Sequence, residues 1–153
     1  MEVITFESIA VLPHFNPDNN NEQVAKEVED FRHQLRNADG VIICTPEYAH
    51  GVPGTLKNAI DWTVSTGEFS HKPTVLITAS TGGKFGHAAL LKTLKVIEAE
   101  NIDQLQMLIP FIRTKVSDDS KITDQQTLQE VKLLIGNFVN TMIEKEETDN
   151  TNT

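Results

Sequence analysis

An apolar run at residues 41–44 leads directly into a short polar loop, residues 45–52, and then into a segment that Pro53 marks as a helix start. A continuous apolar run is typical of a strand covered on both faces. Proline suits the first turn of a helix, because the N–H that it lacks would be unpaired there. This order delivers the loop to the carboxyl end of a sheet strand, where open α/β sheets bind their ligands. We therefore expect loop 45–52 to bind a ligand.

The rest of the chain alternates strand and helix patterns. Further strands are predicted at residues 2–6, 73–79 and 106–112. Further helices are predicted at residues 22–39, 87–99 and from Thr123, which forms a capping box with Gln126. This alternation predicts an α/β fold, with a parallel sheet and helices on both faces. We expect one domain at residues 1–143 and, since residues 144–153 have no apolar side chain, a disordered tail after it.

Composition excludes several classes of protein. The 153 residues suit one domain, and the net charge of −9 argues against a nucleic-acid partner, which needs clustered Lys and Arg. No apolar run approaches the roughly 20 residues of a membrane span. Residues 1–30 lack a basic segment followed by an apolar stretch, so we expect no secretion signal. The single cysteine, Cys44, excludes an internal disulfide and fits a reducing cytoplasm. Its place in an apolar strand favours a structural role.

A second loop, residues 80–86, follows the strand predicted at 73–79 and is rich in glycine. It is not a nucleotide P-loop, since that pattern needs Gly at Thr78 and Ser or Thr at Phe85. Its glycines allow backbone amides to face a ligand. The five histidines lack metal-ligand spacing, and no paired carboxylates or Ser/His/Asp set indicate hydrolysis. We therefore expect neither a metal site nor a catalytic side chain.

The fragment P-E-Y-A-H-G-V-P-G-T-L-K-N-A-I-D-W, residues 46–62, closely resembles the flavin loop of NAD(P)H-dependent FMN reductases. The resemblance extends over residues 2–138. It implies a flavodoxin-like three-layer sandwich that binds FMN as cofactor. It also implies an oxidoreductase that moves hydride from NADPH or NADH to the flavin, and then electrons to a quinone, a metal ion or another small-molecule acceptor.

The same resemblance implies the cofactor-binding residues. By resemblance we expect residues 46–49 of loop 46–51 to lie against the isoalloxazine ring and residues 80–83 to contact its polar edge. The residues concerned are Pro46, Glu47, Tyr48, Ala49, His50, Gly51, Ser80, Thr81, Gly82 and Gly83. His50 is either a wall for the substrate or an incidental loop residue. Many relatives carry Asn at the position of Ala49, which puts one hydrogen bond to the flavin in question.

The chain departs from the family pattern at its start. Nothing before Thr45 matches the Ser/Arg-containing turn that holds the FMN phosphate, and residues 1–6 resemble the family's second strand. We therefore expect four strands, with the central first strand of the family absent. A late recorded start, a truncated gene and a divergent short member all remain open. So do two other functions, a non-catalytic remnant or interaction subunit and a module that binds another planar aromatic ligand.

The helix after Pro53 suggests a subunit interface, because in this family that helix helps to build the dimer. By resemblance we expect a homodimer or homotetramer in which Asn58, Asp61 and Trp62 face the partner and Lys57 pairs with Glu47. The alternative is a solvated helix face with one core tryptophan.

Overall fold

The computed structural model describes residues 2–6, 9–21 and 23–151, with side chains up to residue 148. Its three strands run parallel in the order β1-β2-β3. They are β1 Val41–Thr45, β2 Thr74–Ala79 and β3 Gln106–Ile109. The four α-helices are α1 Lys26–Asn37, α2 Gly54–Asp61, α3 Lys84–Val96 and α4 Gln125–Thr151. This alternating order and parallel sheet confirm the predicted α/β fold.

The sheet separates two hydrophobic clusters. Ile43 is paired with Leu76, and both belong to the cluster that α1, α2 and α3 cover. Val75 and Ile77 face the other side, where they pack with Leu134 and the rest of the apolar stripe of α4. Helices therefore lie on both faces, and the carboxyl ends of the strands are left for the loops that follow them.

Strand β1 is less covered than its sequence predicts. Ile42 and Cys44 share register with Val75 and Ile77 and thus face the α4 side. Helix α4 packs mainly on β2 and β3 and meets the chain beside β1 at Gly40, so Ile42 is 40% exposed and Cys44 is exposed. The prediction that β1 is covered on both faces, with Cys44 buried, is wrong for this reason.

The first predicted strand is not formed. Residues 2–6 pair with no strand, so the sheet has three strands and not the expected four. Phe6 reaches the core through its ring, whose centroid lies 5.0 Å from that of Phe31, while Val3 and Ile4 are exposed. This segment is held by a side chain and not by backbone pairing.

The helix boundaries differ from prediction mainly at their starts. Helix α1 begins at Lys26, whereas the predicted start, Glu22, lies outside the described residues. Helix α4 continues to Thr151, through most of the segment for which disorder is predicted, and residues 152–153 lie outside the description. Lys145 anchors this part of α4, with Nζ 2.5 Å from Oε2 of Glu100. Within the described ranges, no helix is long and apolar enough to cross a membrane.

Candidate functional site

The loop after β1 closes into a tight turn. The backbone N–H of Tyr48 donates to the carbonyl of Gly51 at 2.9 Å, and the N–H of Gly51 donates back at 2.8 Å. The two residues between them, Ala49 and His50, have φ values of 49° and 61°. A residue with a Cβ in this left-handed region is destabilised by about 1–2 kcal/mol. The turn leaves the Tyr48 ring 63% exposed at the carboxyl end of the sheet.

The loop after β2 is fixed to the chain that follows β3. Ser80 donates its N–H to Ile109 at 3.1 Å and accepts from Ile112 at 3.2 Å, and Thr81 accepts from Phe111 at 3.2 Å. Gly83 then takes a φ of 96° immediately before α3. Backbone bonds on both sides of Ser80 therefore hold this loop in one position.

One side chain joins the two loops. Oε2 of Glu47 accepts a hydrogen bond from the N–H of Gly86 at 2.6 Å, and Oε1 accepts from the N–H of Gly83 at 3.3 Å. These bonds, that of Gly86 above all, hold the pKa of the Glu47 carboxyl below its usual value. Within the chain, Lys57 pairs with Asp61 at 2.5 Å. The ion pair between Glu47 and Lys57 expected at a subunit interface stays a prediction.

The loops retain backbone donors for a ligand. Within the part of the chain that the structure describes, the N–H groups of Ala49, His50, Thr81 and Gly82 donate to no protein acceptor. The pyrimidine edge of a flavin carries carbonyl oxygens and ring nitrogens that such donors suit. The donor set of the two loops therefore fits the ring system of FMN.

The phosphate of FMN has a poorer fit among the described residues. The N-terminus of α3 is an anion site in principle, but the Glu47 carboxylate already occupies it. The first turn of α1 carries Glu27 and Glu29, whose charges repel a phosphate. The described residues thus offer donors for the ring and no comparable cradle for the phosphate.

Exposed aromatic rings border the site. The rings of His50 and Phe85 lie with their centroids 4.4 Å apart, and Phe85 is 57% exposed. Phe85 and Gly86 are not among the site residues predicted from the sequence, although both belong to the glycine-rich segment 80–86. They lie in the first turn of α3, which begins at Lys84 and not at the predicted residue 87.

The three residues that the sequence predicts at a subunit interface differ in their placement. Trp62 is buried and donates its Nε1–H to the carbonyl of Pro13 at 2.8 Å, so the prediction that it faces a partner subunit is wrong and the alternative of a core tryptophan is correct. Asn58 is half-buried and accepts from the N–H of Phe15 at 2.7 Å. Asp61 is half-buried and pairs with Lys57. An interface role for Asn58 and Asp61 stays a prediction.

Comparison with known proteins gives consistent matches. The family model for NADPH-dependent FMN reductase matches residues 1–112. The quinone reductase of Escherichia coli K12 is 38% identical over 84% of this chain and 72% of its own length. An NAD(P)H-dependent FMN reductase of Pseudomonas aeruginosa is 32% identical over 86% of this chain and 78% of its own.

A solved structure resembles the fold. The flavoenzyme NAD(P)H:(acceptor) oxidoreductase FerB of Paracoccus denitrificans superposes with a TM-score of 0.68 at 22% identity, over 90% of this chain and 78% of that one. At this identity the match concerns the fold alone.

Proposed function

The chain belongs to the family of NADPH-dependent FMN reductases, and from that premise we propose that loops 46–51 and 80–83 hold its flavin. It is an NAD(P)H-dependent flavin oxidoreductase, with FMN and NAD(P)H as its cofactors. The observation that carries the proposal for the site is the junction through Glu47. It brings the free amides of Ala49 and Thr81, on separate loops, to one end of the sheet.

The redox chemistry is that of the flavin, which takes a hydride from NAD(P)H and passes electrons to an acceptor. The residues of this chain orient the ring. We assign the free N–H groups of loops 46–51 and 80–83 to the polar edge of the ring, and the Tyr48 side chain to one wall. No side chain is required as a general acid or base, because the reaction depends on holding two flat ring systems in the correct orientation.

For the acceptor we propose a quinone. A relative that is 38% identical is named a quinone reductase. The exposed rings of Tyr48, His50 and Phe85 offer this chain an aromatic border against which a flat, apolar acceptor can stack.

We further propose a homodimer or homotetramer in the cytoplasm. The exposed apolar side chains of Ile4 and Ile42 support the association of subunits, because such groups gain from burial. The single cysteine supports a reducing compartment. Light scattering on the eluting protein tests the assembly, and a monomer at micromolar concentration would contradict it.

The experiment that tests the site is a titration of purified protein with FMN and, separately, with riboflavin, followed by quenching of flavin fluorescence. We expect both to bind, with similar affinity, because we assign the free backbone donors of the two loops to the ring and not to the phosphate. Anaerobic oxidation of NADPH and of NADH is then measured with a quinone or with a ferric chelate as acceptor. A rate no higher than that of FMN without protein would contradict the proposal.

A further inference from the structure

The side chain of Glu47 bridges two segments that are far apart in sequence, the loop after β1 and the first turn of α3. Its partners, the N–H groups of Gly83 and Gly86, are among the donors that a helix start leaves without an intrahelical acceptor. A negative charge is favoured there, because the helix dipole is positive at its N-terminus. The bridge is therefore stabilised by the negative charge of the carboxylate at the helix start as well as by its two hydrogen bonds.

The partners of this carboxylate are backbone groups. Among the described residues, no Lys or Arg side chain forms an ion pair with Glu47, and His50 of the same loop is the titratable side chain that acts on it. The two hydrogen bonds from backbone amides to Glu47 fix the backbone of the loop after β1 relative to the start of α3. Glutamine could not replace it, because its amide has one acceptor oxygen and would turn an N–H₂ group towards one of the glycine N–H groups.

We infer that Glu47 is a positioning residue for the flavin site, whose carboxylate couples loop 46–51 to loop 80–83 so that their free amides reach one ligand together. This inference rests on the proposed flavin site. The carboxylate acts through the backbone that it holds. A flavin bound by both loops gains from their being fixed in advance, since the entropy of ordering them is lost before binding.

The test compares wild-type protein with Glu47→Gln and with Glu146→Gln, which removes an equal charge from an exposed position of α4. Flavin fluorescence quenching gives the Kd for FMN and for riboflavin, and circular dichroism verifies that each variant is folded at the assay temperature. We expect Glu47→Gln to raise both Kd values about tenfold, the effect of losing a hydrogen bond to a charged acceptor. Glu146→Gln should leave both unchanged.

A second measurement follows the pH dependence of riboflavin binding, first in the wild type and then in Glu47→Gln. As the pH falls through the lowered pKa of Glu47, the carboxylate is protonated and the bridge is lost. The riboflavin Kd of the wild type should then rise, and riboflavin is used because it has no phosphate to titrate. A folded Glu47→Gln variant should lack that rise.

The possible outcomes distinguish a failure of the proposed flavin site from a failure of the coupling role of Glu47. Equal Kd values for wild type and Glu47→Gln, or the same pH dependence in both, would overturn the coupling role and leave a carboxylate that merely caps α3. If the wild type binds neither flavin, the proposed site fails and this inference fails with it. A change in melting temperature alone, without a change in Kd, also counts against coupling.

Discussion

A Cβ atom added to Gly86 would lie 2.6 Å from the carbonyl oxygen of Gly51, a distance that real side chains do not reach. Gly86 is in the first turn of α3, and Gly51 closes the turn of the loop after β1. The two segments therefore meet backbone to backbone. The Glu47 side chain passes alongside, with its Cγ 3.1 Å from the same Cβ position.

Gly86→Ala should push α3 away from the loop, because neither backbone can yield without a shift. We expect the free energy of unfolding to fall by about 1–3 kcal/mol, the usual effect of overpacking, and the FMN affinity to fall as well. Urea denaturation and flavin titration measure the two effects.

The matched control is Gly136→Ala in α4, where an added Cβ meets nothing within 4 Å. Alanine is favoured over glycine in a helix, so this variant should gain up to about 1 kcal/mol. Equal stabilities for the two variants would mean that the contact between Gly86 and Gly51 is not as close as described.

Ala49 occupies a backbone conformation that suits glycine better, with a φ of 49°. Ala49→Gly should raise the free energy of unfolding by about 0.5–1 kcal/mol, because the steric cost of the Cβ in the left-handed region is removed. Urea denaturation measures the gain. The control, Ala88→Gly on an exposed position of α3, should lose about 1 kcal/mol. A loss at both positions would contradict the left-handed turn.

Local sequence patterns predicted most helices and strands of this fold. The burial of each element depends on which other elements pack against it, and no local pattern shows that. The apolar run 41–44 correctly indicated β1, but the run does not show which faces of that strand are buried by other elements. Ile42 is exposed because α4 packs mainly on β2 and β3. Residues 2–6 have the composition of a strand, yet a strand needs a partner, and none pairs with them.

The sequence predicts the candidate site as a pair of loops, and the contacts between these loops could not be predicted from it. Resemblance identified residues 46–51 and 80–83, and the structure joins these two loops at one end of the sheet. The role of the Glu47 carboxylate depends on the distance to Gly86, 39 positions later, which no local pattern encodes. Trp62 shows the same limit, because its helix pattern fits a subunit interface as well as a core.

The contact between the rings of His50 and Phe85 predicts that a substitution of His50 changes the KM for the electron acceptor. If the two rings form a wall of the proposed quinone site, His50→Ala should raise the KM for a quinone about 2- to 10-fold, the range expected for one aromatic pair. The kcat and the Kd for FMN should change less. Steady-state kinetics with saturating NADPH measures the split.

The control for this variant is His33→Ala, which removes an exposed histidine from α1. Its KM for the quinone should equal that of the wild type. A His50→Ala variant with the wild-type KM would leave His50 as an incidental residue of the loop, which is the alternative that the sequence also allowed.

Two adjacent residues, Thr123 and Asp124, are candidates for the N-cap of α4. The sequence predicts Thr123, but Oδ1 of Asp124 is the group that accepts from the N–H of Thr127, at 2.8 Å. Asp124→Ala should therefore lower the melting temperature by about 2–4 °C, as the loss of a cap does in a domain of this size. Thr123→Ala should have little effect. Equal shifts for the two variants would contradict the assignment of the cap to Asp124.

The Asp124 cap also predicts how the difference in melting temperature between wild type and Asp124→Ala depends on pH. The hydrogen bonds from Thr127 lower the pKa of the Asp124 carboxyl from its ordinary value of 3.8. The unfolded chain therefore takes up this proton at a higher pH than the folded protein does. The stabilisation by Asp124 should be complete above pH 3.8 and decline as the pH falls through the lowered pKa, so the melting temperatures of wild type and Asp124→Ala should converge in acid. Melting curves between pH 7 and acid measure this, and a constant difference would mean that the carboxylate charge has no part in the cap.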